Sequence, residues 1–195
     1  MNLLPSIVYS HEPSIVQYDN WLSTNETDLI LRKDFKFTTG RIHDKQGNMK
    51  VDQVRQCQTH RIEYGDDEYF DRLTQRVADF FNIQNLMCIE PFPIIKYSSG
   101  DYFNLHSDLT SGFNTQRIAT MIMYLNDDFQ GGCTYFPKLN LRIQPRRGSA
   151  LVYYYDPANP LVHSGEAVIS GTKFIINAFV RNGEFSLADR QSVRY

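Results

Sequence analysis

Between residues 86 and 180 the chain breaks into short apolar runs divided by turn chemistry, and no other feature limits its fold as tightly. A first run, 86–97, is followed by 101–108, 116–125, 132–136, 141–144, 148–155, 162–163, 167–169 and 173–180. Asp127-Asp128-Phe129-Gln130-Gly131-Gly132, Pro145-Arg146-Arg147-Gly148, Asp156-Pro157-Ala158-Asn159-Pro160 and Ser170-Gly171 punctuate them. Short runs between such signals read as strands rather than helices. Eight short strands after the first run imply a sheet closed on itself as a sandwich or barrel. Pro91 and Pro93 lie inside the first run. Proline brings no N–H to a ladder, so an edge or bulged strand is expected there. Aromatic residues are 13% of the chain, which also favours strands.

The N-terminal part reads differently. Residues 14–22 look extended. Ser23-Thr24-Asn25-Glu26 fits a capping box, with a helix to about Lys33. Residues 37–51 are polar and aperiodic and predict a long turn or hairpin loop, with a mobile lid as its functional reading. Another strand is expected over 53–62. In 66–81, Tyr69, Phe70, Leu73, Val77, Phe80 and Phe81 recur at helical steps and predict a helix packed on a sheet. Residues 181–195 read as a polar tail. The expected fold is mainly β with flanking α: a cupin-like jelly roll supported by two or more N-terminal helices. At 195 residues it suits a single domain, 1–195, with a catalytic core over about 86–182.

Chemistry concentrates at His106-Ser107-Asp108. Residues two apart in a strand share a face, so His106 and Asp108 can aim at one point. A second His would complete the 2-His-1-carboxylate set of non-haem Fe(II) oxygenases. His163 is the one His that follows, and Lys173 opens the last apolar run. Each alone has an ordinary reading: a surface pair, a loop His, a strand-end Lys that snorkels. Together and in order they point to a metal site with a buried cation for an acidic cosubstrate. The same His and Asp also suit a zinc- or manganese-loaded cupin-type protein. His11, His43 and His60 lack such context and read as surface residues.

Net charge is −2, so bulk electrostatics supply no case for nucleic acid. Cys57, Cys88 and Cys133 form no C-x-x-C, which suits reduced thiols in a cytosol-like compartment and no zinc cluster. No basic, apolar leader opens the chain, and no run of about 18 apolar residues would span a membrane. A cytoplasmic location is expected; the oligomeric state is open.

The chain resembles the prolyl 4-hydroxylase family of iron- and 2-oxoglutarate-dependent dioxygenases. The matching pieces are Tyr97-x-x-Gly100, His106-x-Asp108, Arg117-Ile-Ala-Thr120-Met-Ile-Met-Tyr124-Leu125-Asn126-Asp127, Gly131-Gly132-Cys-Thr134-Tyr-Phe136, Pro145-x-x-Gly148-x-Ala150-Leu, His163-Ser-Gly and Gly171-Thr-Lys173. The resemblance implies a double-stranded β-helix, with Fe(II) held by His106, Asp108 and His163. It implies that Lys173 pairs with the distal carboxylate of 2-oxoglutarate and that Tyr97 and Thr120 touch this cosubstrate. It implies use of O2, with ascorbate as reductant, to hydroxylate an unactivated C–H, foremost that of a peptidyl proline. Phe103 stands where relatives often have Tyr, and Phe179 where many have Trp. Those differences favour, as the alternative, a free amino acid, another peptide residue or a small metabolite as substrate. A non-catalytic metal-binding jelly roll is the remaining reading.

Overall fold

The computed structural model describes residues 4–40, 42–43, 49–50, 53–110, 113–156, 158, 160–186 and 188–189, with backbone alone at 42–43 and 49–50. In chain order its strands are β1 (Ile7–His11), β2 (Ser14–Tyr18), β3 (Thr38–Thr39), β4 (Ile42–His43), β5 (Met49–Lys50), β6 (Arg55–Gln56), β7 (Gln58–Ile62), β8 (Phe92–Tyr97), β9 (Tyr102–His106), β10 (Arg117–Tyr124), β11 (Gln130–Gly131), β12 (Thr134–Phe136), β13 (Leu141–Ile143), β14 (Ala150–Tyr154), β15 (His163–Gly165), β16 (Val168–Ser170) and β17 (Lys173–Arg181). Two sheets dominate. The major sheet has eight strands in the order β1-β2-β14-β10-β17-β8-β7-β3; the minor sheet has five, β13-β12-β15-β9-β6. Neighbours are seldom consecutive in sequence, as a rolled double sheet requires. The chain crosses from minor to major sheet at Cys57, between β6 and β7.

Alternation sorts the major sheet into two faces. Met121, Met123, Ala150, Val152, Ile176, Ala178 and Val180 face the helices. Ile95, Tyr97, Ile122, Tyr124, Leu151, Tyr153 and Ile175 face inward, toward Phe136 and Ile143 of the minor sheet. The outer face is covered by α1 (Thr24–Leu31) and α2 (Glu68–Phe80). The capping box forms as expected: Ser23 Oγ accepts from Glu26 N, and Glu26 returns a carboxylate to Ser23 N. In α2, Phe70, Leu73 and Val77 are buried, each stabilising by roughly 2 kcal/mol through area removed from water. Gly148 joins α1 to the sheet. Its carbonyl accepts from Leu22 N, its φ is +77°, and a Cβ there would stand 2.3 Å from Leu22 O. A side chain is excluded on both counts.

Three expectations need correction. The first apolar run forms no edge strand: β8 lies between β17 and β7. Its ladder with β17 ends at Ile94, so Pro93 is paired by β7 alone and its missing N–H is tolerated. Residues after 180 are not a plain polar tail. Arg181 and Phe185 are both 0% exposed, and Phe185 packs 5.6 Å from Phe113. His60 is half-buried, bonded through Nδ1 to Lys36 O and set 5.2 Å from Phe35. Of the stretch 37–51, residues 37–40, which include β3, and the antiparallel pair β4–β5 are described; the rest, and with it the lid expectation, lies outside the described residues. No helix among the described residues is long and apolar enough to cross a membrane.

Candidate active site

The site is built from cross-strand pairs. His106 and His163 are register partners across β9–β15, which brings their rings to 4.3 Å. Lys173 and Tyr97 are partners across β17–β8. Thr120 of β10 is opposite Phe179 on one side and Tyr153 on the other.

His106, Asp108 and His163 each offer one ligand atom, all within 4.8 Å of one another. His106 Nε2 lies 3.5 Å from Asp108 Oδ1, and His163 Nε2 lies 3.7 Å from Oδ2. Each imidazole donates from Nδ1 to a carbonyl two residues back, His106 to Asn104 O at 2.7 Å and His163 to Leu161 O at 3.3 Å. That bond selects the tautomer whose Nε2 keeps its lone pair for a metal. Phe103 stacks on His106 at 3.5 Å, and Arg55 Cζ lies 4.9 Å from the same phenyl ring.

Asp108 reaches the site without a strand. β9 ends at His106, so shared strand parity does not carry Asp108 to its place. It is held by Arg117 Nη1, which donates to its carbonyl at 3.1 Å, and by hydroxyls of Thr120, Tyr153 and Tyr155 on its carboxylate. Burial pushes its carboxyl up. The charges of His163, His106 and Arg117 and the His106 hydrogen bond outweigh burial and hold it well below the usual range. Burial pushes His163 down, to about 4, with help from His106 and against Asp108. At neutral pH the site therefore presents a neutral His163 imidazole and an ionised Asp108 beside His106, and two imidazoles with a carboxylate are a donor set that suits Fe(II).

Lys173 is 3% exposed. Its Nζ donates to Gly132 O at 2.6 Å and stands 5.4 and 5.7 Å from the rings of Tyr97 and Tyr124. Among the described residues no carboxylate pairs with it, and burial lowers its pKa to about 8. A buried ammonium with one backbone partner and two spare donors fits an acidic ligand.

Beyond the expected residues the structure adds Arg117, Glu90, Arg181, Tyr153 and Tyr155. Glu90, 1% exposed, accepts from Arg117 Nε and Nη2 at 2.7 and 2.6 Å and from Arg181 Nε at 2.6 Å. Arg117 Cζ lies 3.5 Å from the centre of the Phe179 ring. Tyr153 and Tyr155 share the inward parity of Leu151, the one sequence signal that places them here.

A family model described as the 2OG-Fe(II) oxygenase superfamily matches residues 92–181, which run from β8 to β17. A putative prolyl 4-hydroxylase of Acanthamoeba polyphaga mimivirus is 34% identical over 113 residues, 50% of this chain and 47% of its own; the match spans about half of that relative. Probable prolyl 4-hydroxylase 3 of Arabidopsis thaliana is 28% identical over 213 residues, covering 92% of this chain and 73% of that one. The viral collagen prolyl hydroxylase of Paramecium bursaria Chlorella virus-1, solved as a 2OG complex, superposes with a TM-score of 0.66 at 25% identity, over 86% of this chain and 95% of that one. In fold, in its set of metal-binding side chains and in sequence, the chain is similar to the prolyl 4-hydroxylase-like 2OG-Fe(II) oxygenases, enzymes that use Fe(II), 2-oxoglutarate and O2.

Proposed function

We propose that this enzyme hydroxylates a C–H of a peptidyl proline, within a single catalytic domain whose core spans about 86–182. The observation that carries the reading is the convergence of two Nε2 atoms and a carboxylate within 4.8 Å. In this reading His106, Asp108 and His163 hold Fe(II), and Lys173 takes the distal carboxylate of 2-oxoglutarate. Tyr97, partner of Lys173 across the ladder, and Thr120, which donates to Asp108, would also touch this cosubstrate. The bound iron and keto acid supply the oxidising chemistry, releasing succinate and CO2. The protein's part is to fix the imidazole tautomers, keep Asp108 ionised and exclude water around Lys173.

The proline assignment rests on what the relatives are named for. The test is succinate release together with a one-oxygen mass gain on a proline-containing peptide, with Fe(II) and ascorbate supplied. His106→Ala should fall to the buffer level. Turnover of some other substrate with no proline peptide accepted would overturn the assignment and leave the chemistry standing. One observation favours that second reading, the same chemistry on a free amino acid, another peptide residue or a small metabolite. Phe103 and Phe179 present bare rings beside His106 and Arg117, where a phenol or indole would offer a hydrogen bond.

A further inference from the structure

Three hydroxyls converge on one oxygen of Asp108. Thr120 Oγ1 reaches Oδ2 at 3.0 Å, Tyr153 OH at 2.9 Å and Tyr155 OH at 2.6 Å. Thr120 and Tyr153 belong to the major sheet, and Tyr155 follows directly after β14, its N–H donating to Ile118 O of β10. Thr120 and Tyr153 face each other across β10–β14, and Tyr155 follows two residues on, with the same parity. Asp108 belongs to the segment after β9, in the minor sheet. A carboxylate oxygen offers about two lone pairs, so three donors exhaust Oδ2. Among the described residues no hydroxyl reaches Oδ1, which faces His106 Nε2 at 3.5 Å.

We infer that Thr120, Tyr153 and Tyr155 form a hydroxyl cap that makes Asp108 a one-oxygen ligand, withholding Oδ2 and offering Oδ1 to the metal. This rests on the reading of Asp108 as an iron ligand. Its consequence is a free coordination position. A carboxylate binding through both oxygens would occupy space that the keto acid and O2 require. The cap also joins the sheets, because donors on one leaf orient a ligand carried by the other. The three are positioning residues: Thr120 and Tyr155 act on the metal through Asp108, while Tyr153 OH also stands 3.0 Å from His163 Nε2, so Tyr155→Phe is the variant that isolates the carboxylate. Neither the family resemblance nor the three-residue metal set marks the two tyrosines.

The test uses Tyr153→Phe, Tyr155→Phe and the double variant, which delete hydroxyls and keep the rings. Two quantities are read on Co(II)-loaded protein without turnover: the Co(II) dissociation constant and the visible Co(II) absorption band. Loss of outer-shell partners of a ligand weakens metal binding by about 10–100-fold. The double variant should show a loss of that size and a displaced band, with Tyr155→Phe intermediate. Far-UV circular dichroism confirms that each variant is folded, and the single variants carry the test if the double one is not. Wild-type affinity and an unmoved band in folded variants would overturn the cap even if Tm falls, because the tyrosines would then merely pack. Failure of the wild-type protein to bind Co(II) stoichiometrically would instead remove the metal reading itself.

Discussion

Replacing Lys173 by Met should stabilise the ligand-free protein while destroying its affinity for 2-oxoglutarate. Lys173 is buried, and its pKa falls from an ordinary 10.5 to about 8. At 1.36 kcal/mol per pKa unit, that drop corresponds to about 3 kcal/mol spent on keeping the ammonium charged at neutral pH. Methionine has nearly the same length and no charge. It forfeits the hydrogen bond to Gly132 O, worth about 1 kcal/mol. A net gain of about 2 kcal/mol follows, or roughly 4–8 °C in Tm for a chain of this size. Against this, deleting one member of a buried charge pair costs about 3–5 kcal/mol, so the variant should bind 2-oxoglutarate at least roughly a hundred-fold more weakly. The assays are thermal unfolding with and without 2-oxoglutarate, and calorimetric titration. Proton linkage gives an independent check. The folded pKa lies below the unfolded one, so the unfolded chain binds more protons between about pH 8 and 10.5, and wild-type stability should gain from this group as pH rises through that window. The Met variant should lack that gain. A lower Tm for the ligand-free variant, together with near-wild-type affinity for 2-oxoglutarate, would refute the reasoning.

The remaining predictions concern the surrounding charges. Glu90→Gln leaves two buried guanidiniums facing a neutral amide; a loss of about 3–5 kcal/mol is expected in urea unfolding, and a change below about 1 kcal/mol would show that the cluster does not depend on this carboxylate. The metal-free protein should lose stability as pH falls from 6.5 toward 4, because the unfolded chain protonates His163 at its ordinary value and the folded one only near 4. His163→Asn should flatten that part of the Tm profile; an equally steep profile in the variant would assign the slope to other groups.

What was legible in the chain was whatever is local. Ser23 and Glu26 stand within one turn, and the stripe from Tyr69 to Phe81 repeats at helical steps, so both helices could be read directly. His106, Asp108, His163 and Lys173 were recognisable by type and order. Their meeting was not, since it depends on the register of β9 against β15 and of β8 against β17, which no short window contains. Asp108 shows the limit most sharply. Parity along an assumed strand suggested the right neighbour for a reason that fails, because the strand stops at His106 and distant groups hold the carboxylate. Pro93 misled because a local rule was applied without knowing where the β17 ladder ends. Phe185 was invisible among polar residues; its ring partner Phe113 lies in a distant segment.

The pairing of His106 with His163 on one leaf, and the seating of Lys173 and Thr120 on the other, makes any occupant of the cleft a rivet between two plates. Until strands far apart in sequence have zipped together there is nothing for iron to grip, so metal capture reports a finished assembly rather than seeding one. Such a fastener should tighten the whole roll, and stripping it with a chelator should be felt at both plates at once.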